Sequence, residues 1–391
     1  MGEGAFLSIN TLEYERGKLR DFLPDFLCSR CDPARRRKPF EVFWNSWIRS
    51  LFYPLTSIQR RRRYRLCSAL FKEGSVTPQA TIRALAEHVK AAVFPHLGTW
   101  RARKVTGIAS SGDATFDIDD IAEGAVETFL RDHALNVAYY SEDRGLVRPF
   151  PDREPEGILV IDPIDGTRGA IAGFEACVVS VAWADPVPDP TMKDVRYAAI
   201  TEIKGDTTLS ASRGEGVEIL DRHGNSVRPQ LLPTADIPNM AWCQEVVGAP
   251  MEYLFEALKE IANATTVRGG FFILNSSAFE LTRIVTGQLA AVIDVRNRVM
   301  RDFPQTKQDF VRYGGGRLLC LYGYDVAAAA LIVQECGGIV TDAWGRSLSD
   351  WKLLDTTEPN FGSLIAASNA ALHAKLVTAV NDGFSRLTIK S

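Results

Sequence analysis

The sequence predicts a layered α and β fold, and three observations carry that reading. Amphipathic stretches with apolar residues three and four apart alternate with short, strongly apolar runs, so helices and strands interleave along most of the chain. The alternation lacks a strict strand–helix–strand rhythm, which favours packed layers over a regular doubly wound sheet. An apolar fraction of 46% with 24% charged residues, over 391 residues, is that of a core-forming chain and excludes wholesale disorder.

Residues 1–75 stand apart from this pattern. They hold 15 Lys/Arg against 8 Asp/Glu, whereas the remainder holds 30 against 40, and KEGSVTPQ around Gly74 to Pro78 has the residues that end one element and start another. Two basic clusters, Arg35 to Lys38 and Arg60 to Arg65, flank a helical aromatic stripe that includes Phe40, Phe43, Trp44, Trp47 and Phe52. Such a stripe can meet a membrane surface or an acidic partner through 35–65. The favoured reading is a helical extension packed on the main domain or a second subunit. Cys28 and Cys31 have no second CxxC and no nearby His, which argues against a zinc site.

From residue 76 the elements follow in order. Thr81 to Leu97 is helical by the spacing of Ile82, Leu85, Ala86, Val89 and Val93, and Ile118 to Leu130 repeats that period. GILVIDP (157–163) and CVVSVAWA (177–184) read as buried strands, and 197–214 as a strand pair turning at Gly205-Asp206. Helices are expected at 251–262, 274–287, 325–336 and 369–382, and strands at 289–295, 338–342 and 363–368.

Composition also bounds the function. A net charge of −3 argues against specific nucleic-acid binding, which needs a surplus of Lys and Arg. No uncharged apolar run approaches a membrane span, and the first residues lack the basic-then-apolar order of a secretory signal. Seven scattered cysteines fit free thiols, so a cytoplasmic location is expected.

The chemistry concentrates in carboxylates. Asp162-Pro163-Ile164-Asp165-Gly166-Thr167 ends an apolar strand, where two acids three residues apart can face one crevice. Gly166 allows close backbone approach, and Thr167 opens a helical turn whose free N–H groups favour an anion such as phosphate. Asp113, Asp117, Asp119 and Asp120 gather at a second helix start, Glu142 and Asp143 follow a short apolar run, and Asp325 heads an Ala-rich helix. Acids gathered at one crevice repel unless cations neutralise them, and hard oxygen donors without His or Cys point to Mg²⁺.

These segments resemble the inositol monophosphatase superfamily of Mg²⁺-dependent, lithium-sensitive phosphatases. The resemblance rests on GILVIDPIDGT, YYSEDRG, YDVAAAALIVQECGGIVTDAWG, DTTLSASRGEGV and NSSAFELTRIVTGQLAAVIDVR, in the family's order over about residues 78–384. It implies an α-β-α-β-α sandwich of the sugar phosphatase type for residues 76–391, two or three Mg²⁺ ions and a homodimer. Glu142, Asp162 and the Ile164 carbonyl would hold one ion, Asp162, Asp165 and Asp325 a second, and Asp119 would stand near a weaker third. Thr167 would orient the attacking water with Glu142 or Asp119, and the amides of Gly166 and Thr167 would grip the phosphate.

The implied reaction is hydrolysis of a small phosphorylated metabolite, a sugar or inositol phosphate, with no covalent intermediate. Inositol-selective members carry an acid where this chain has Leu318, seven residues before Asp325. Arg168-Gly169 resembles the 3′-phosphoadenosine phosphatase branch, which keeps a 3′(2′),5′-bisphosphate nucleotidase as the alternative. Ala170, Gly173, Ser180 and Asp294-Val295-Arg296 resemble archaeal-type members acting on fructose 1,6-bisphosphate and inositol phosphates. Arg168 and Arg296 are candidate phosphate contacts, and 297–317, ending in three glycines, is a candidate lid. A catalytically idle binding or regulatory protein is the remaining alternative, disfavoured because the acidic set is complete.

Overall fold

The computed structural model describes residues 77–109 and 114–387, so the basic extension, its aromatic stripe and Asp113 lie outside the described residues. In chain order the elements are α1 (Pro78–Val93), β1 (Val105–Ile108), β2 (Ala114–Phe116), α2 (Asp117–Asp132), β3 (Ala138–Ser141), β4 (Gly145–Val147), β5 (Ile158–Asp165), α3 (Thr167–Ala172) and β6 (Val178–Ala184). Then come β7 (Val195–Glu202), β8 (Thr208–Ser212), β9 (Gly216–Leu220), β10 (Ser226–Val227), β11 (Ala241–Gln244), α4 (Met251–Thr265), β12 (Gly270–Phe272) and α5 (Ser277–Val285). The rest are β13 (Ala291–Asp294), α6 (Arg296–Asp302), α7 (Lys307–Tyr313), α8 (Gly323–Glu335), β14 (Ile339–Thr341), β15 (Leu364–Ala367) and α9 (Ala370–Arg386).

Two sheets organise these elements. The first has eight strands in the order β10-β9-β8-β7-β6-β5-β3-β4, antiparallel except for the β3–β5 pair. The second has five, β12-β11-β13-β15-β14, with β11 parallel to both neighbours. α1 and α2 cover one face of the first sheet, burying Ile82, Leu85, Val89, Ile118 and Phe129 against Leu159, Ile161 and Val179. α5 and α8 fill the space between the sheets, and α4, α6 and α9 cover the outer face of the second. This is the α-β-α-β-α sandwich.

Local sequence explains the layers. Every residue of β5 is buried, as expected of a strand covered on both faces, so ILVI shows no alternation. α8 is apolar all round because sheets lie on both sides of it, and Ala327 to Ala330 let them approach closely. α1 starts earlier than its apolar spacing suggests because Thr77 accepts the Ala80 amide and Pro78 fits the first turn. Pro95 ends its regular hydrogen bonding, leaving a 3₁₀ turn over Phe94–His96.

Segment 297–317 departs from the expected lid loop. It forms α6, a 3₁₀ turn at Pro304–Thr306 and α7, with Val299, Met300 and Phe310 in the core beside the second sheet. The Arg298 guanidinium donates to the Ala343 carbonyl at 2.6 Å and the Asn297 amide to the Phe361 carbonyl, fastening the segment down. Only the Gly314–Gly316 end keeps the character of a turn. Among the described residues no helix is long and apolar enough to cross a membrane, and Cys177, Cys243, Cys320 and Cys336 form no disulfide.

The middle layer yields a prediction. Ala329→Leu would insert three carbons where both neighbouring sheets already touch the helix, so stability should fall by about 1–3 kcal/mol. A urea unfolding midpoint equal to that of the unmodified protein would refute this packing.

Candidate active site

A cleft of about 710 Å³ opens where the C-terminal edges of β3, β5, β11 and β13 meet the first turns of α2, α5 and α8. Seven carboxylates and two arginines line it among the described residues.

The β5 acids owe their common side to an irregularity. Residues three apart in a regular strand face opposite ways. Against β6, however, Asp162 faces Ser180 and Asp165 faces Val178, so three steps on one strand match two on the other. This one-residue bulge restores the pairing and brings both acids to the cleft. It also accommodates Pro163, which has no N–H for the ladder. The strand thus runs through the motif, where the sequence suggested it had already ended. Because β3 is parallel to β5 with Ser141 opposite Ile161, the next residue, Glu142, stands beside Asp162.

Three of these acids share one device. The Ile164 amide donates to Asp162 Oδ1 at 3.0 Å. The Tyr322 amide donates to Asp325 Oδ2 at 2.7 Å, because Asp325 occupies the third position of α8 and reaches back over its first turn. Asp165 Oδ2 takes the Ser276 hydroxyl at 2.8 Å and the Ala278 and Phe279 amides at 2.6 and 3.1 Å, capping α5 from another element. Each carboxylate is thereby oriented through one oxygen, and the other makes no hydrogen bond among the described residues. Asp119 repeats the helix-start pattern in α2, its Oδ2 accepting the Phe116 amide at 2.8 Å.

Thr167 joins the two halves of this constellation. Its hydroxyl lies 3.2 Å from Asp119 Oδ1 and 3.0 Å from the Ile164 carbonyl. Gly166 before it has φ +88°, and a Cβ there would sit 2.4 Å from the Ala176 carbonyl oxygen, so the turn needs glycine twice over. α3 is only six residues long, so its dipole adds little to anion binding. Exposed Arg168 lines the cleft.

Arg296 is not the free phosphate clasp expected from the sequence. It is 3% exposed, its Nε and Nη2 both donate to Asp294 Oδ2 at 2.9 and 2.6 Å, and its Nη1 donates to the Val247 carbonyl at 3.0 Å. An arginine this enclosed is spent on holding a buried acid. Its charge still acts on the cleft, favouring ionisation of Glu245 and Asp325.

Sequence reasoning missed Glu245, Glu280 and Glu123. Glu245 follows β11 as Glu142 follows β3, and an acid just past an apolar strand was the available signal. Glu280 lies inside α5, where its Oε1 accepts the Leu274 and Asn275 amides at 3.2 and 3.1 Å. Glu123, fully buried one turn beyond Asp119, has no hydrogen bond of ordinary geometry on either oxygen.

Burial is the leading cause of every perturbed acidity in this cluster. It raises Asp162 well above the usual carboxylate range, with Glu142, Asp165 and Asp325 adding repulsion. It raises Asp325 similarly, with Asp165 adding. Asp165 is pushed up to about 6 despite its donors, and Glu245 and Glu123 to about 7. Among the described residues no three His, Cys, Asp or Glu side chains stand close enough to hold an ion as they are. The donor set nevertheless fits a hard divalent cation: oxygens only, one free on each oriented acid, in a cleft with an excess of negative charge.

The architecture is a layered two-sheet sandwich with an acid-lined cleft at its strand edges. The profile of the inositol monophosphatase family matches residues 80–383, so the chain belongs to that family and is a phosphoric monoester hydrolase. A fructose-1,6-bisphosphatase/inositol-1-monophosphatase of Methanothermobacter thermautotrophicus is 26% identical over 297 residues, covering 75% of this chain and 92% of that protein. A 3′(2′),5′-bisphosphate nucleotidase of Oryza sativa is 27% identical over 282 residues, covering 68% and 71%. The structure of a Thermotoga maritima IMPase superposes with a TM-score of 0.55 at 19% identity, over 77% of this chain and 95% of that one, and shows the same fold.

The raised acids make stability depend on pH in a definite direction. The folded state binds more protons than the unfolded chain between about pH 4 and pH 7, so stability falls as pH rises through that window. In EDTA the melting temperature should therefore drop between pH 5 and pH 8, and Mg²⁺ should restore much of it at pH 8. A melting temperature that rises over that range in EDTA would show that the acids are not strained as described.

Proposed function

We propose that the protein hydrolyses a phosphate monoester of a small polyol or sugar with Mg²⁺, by direct attack of water and without a covalent intermediate. The observation that carries this reading is the shared orientation of Asp162, Asp165 and Asp325, each fixed through one oxygen and left with the other for a cation. Glu142, Asp162 and the Ile164 carbonyl would hold one ion and Asp162, Asp165 and Asp325 a second, with Asp119 near a third, weaker position. When bound, such ions would place positive charge at the attacking and leaving oxygens and lower the pKa of water.

The chain's own residues do the rest. Thr167, donating its hydroxyl proton to Asp119, keeps its oxygen lone pairs for a proton of the attacking water. That holds the water in line and gives its proton a path to a carboxylate. The bulge at Pro163 and the turn at Gly166 fix Thr167 relative to the acids, which is positioning rather than covalent catalysis. The amides of Gly166 and Thr167 are the candidate phosphate contacts, with Arg168 at the rim.

Fructose 1,6-bisphosphate and inositol 1-phosphate are the first substrates to test, since the archaeal relative carries both names. The nucleotidase reading rests on Arg168-Gly169 and the Oryza relative. Gly169 has a structural reason of its own, because a Cβ there would lie 2.5 Å from the Ala176 carbonyl oxygen. Its presence therefore says little about nucleotides. A panel of these substrates with Mg²⁺, each repeated with EDTA and with Li⁺, tests the reading. Phosphate release that needs Mg²⁺ and is depressed by Li⁺ is expected.

Asp325→Asn keeps the shape of the side chain but removes its charge. Turnover should fall by at least about a hundredfold, and calorimetry should show weaker Mg²⁺ binding. Near-normal turnover at saturating Mg²⁺ would refute the assignment of Asp325.

A further inference from the structure

We infer that Glu245 is a specificity-determining residue whose Oε2 accepts a hydrogen bond from a hydroxyl of the polyol or sugar part of the substrate, an inference resting on the phosphatase reading above. Glu245 is 3% exposed and lines the cleft. The Ser277 hydroxyl donates to its Oε1 at 3.2 Å. Its Oε2 makes no hydrogen bond among the described residues, yet it is not one of the sealed, unpartnered oxygens of the interior. The little surface the side chain keeps is therefore on the cleft. Glu280 supplies the contrast: it is fully enclosed, its Oε2 is sealed off, and no ligand can reach it.

Chemistry then narrows the partner. A carboxylate oxygen with no donor of its own accepts hydrogen bonds or binds a cation, and it repels a phosphate; with the cations on the β5 acids and Asp325, what meets it is a donor. The substrate's hydroxyls are the donors that remain once the phosphate lies against the β5 acids and Thr167. The neighbouring acid at this edge of the second sheet, Asp294, cannot compete, because Arg296 occupies it with a bidentate contact and the Arg296 amide adds a third bond.

The two acids are joined within the chain. Ser276 binds Asp165 at 2.8 Å and the adjacent Ser277 binds Glu245 at 3.2 Å, so consecutive residues of one helix start hold one acid from each sheet. Asp165 and Glu245 are thereby tied to one another through a single peptide unit. A ligand with a hydroxyl a few bonds from its phosphorus can reach both.

The test compares the unmodified protein with Glu245→Gln and Ser277→Ala at saturating Mg²⁺. The substrates are inositol 1-phosphate, fructose 1,6-bisphosphate and p-nitrophenyl phosphate, which has no hydroxyl. Glu245→Gln turns a donor toward the cleft if Ser277 keeps its bond. It should lower kcat/KM for a hydroxylated substrate by roughly tenfold to a hundredfold, mostly through KM, the scale of a hydrogen bond to a charged group. That loss should exceed the loss on p-nitrophenyl phosphate at least about tenfold. Ser277→Ala, which leaves the charge but not its orientation, should shift the same ratio less, and it decides the matter alone if Glu245→Gln does not fold. Equal losses on all three substrates, or a loss recovered by more Mg²⁺, would overturn the role of Glu245 while leaving the phosphatase reading intact. An unmodified protein that releases no phosphate from any of them overturns that reading and this inference together.

Discussion

Carboxylates buried in one cleft repel each other and lose their hydration, and a fold can keep them there by supplying hydrogen-bond donors or cations or by letting them take up protons. This chain supplies donors first. Main-chain amides of Ile164, Tyr322, Phe116, Ala278 and Phe279 each hold one acid oxygen, and four of the five belong to the first turns of helices or the residues that cap them. Helix starts have free N–H groups that need partners, so one contact satisfies the helix and aims the acid. The converging helices α2, α5 and α8 are thus part of the electrostatic solution as well as of the packing.

Donors do not cancel the charge. Of the cleft's two arginines, Arg296 is bound to Asp294, so an excess of negative charge remains in a cleft where burial holds Asp162 well above its ordinary pKa. Protons relieve that excess at low pH, and divalent cations can relieve it at neutral pH. The same strain that weakens the empty fold therefore favours the ions that a phosphate monoester dianion needs near it. Stability and chemistry draw on one source.

The two sheets divide the labour. The first, through the bulge of β5 and the end of β3, gathers the acids proposed to hold cations, together with Thr167. The second, through the ends of β11 and β13, presents Glu245 and the Arg296–Asp294 pair. The start of α5 joins them, since Ser276 and Ser277 each serve one sheet. Variation in the second sheet's edge can then alter substrate choice without disturbing the acids of the first. The helices α6 and α7 follow β13 at that edge, with Val299 and Phe310 in the core.

The sequence by itself determined the layered class, most of the longer helices and strands and the acids that line the cleft, because apolar periodicity and short local motifs survive in a linear chain; the short strands β11 and β12 left no such mark. Asp119, Glu142, Asp162, Asp165, Thr167 and Asp325 were all legible in this way, and all line the cleft. Arg296 and segment 297–317 were misread: whether an arginine is free depends on what lies across from it, and a run rich in Arg and Gly hides its few core residues. Glu245 was overlooked because nothing near it in the chain shows that Ser277 will meet it. Only the tertiary structure decided the bulge that turns Asp162 and Asp165 to one side, the capping of α5 by an acid from β5, and the pairing that withdraws Arg296. Each is a contact between distant segments, set by register and packing, and local sequence carries no record of the partner.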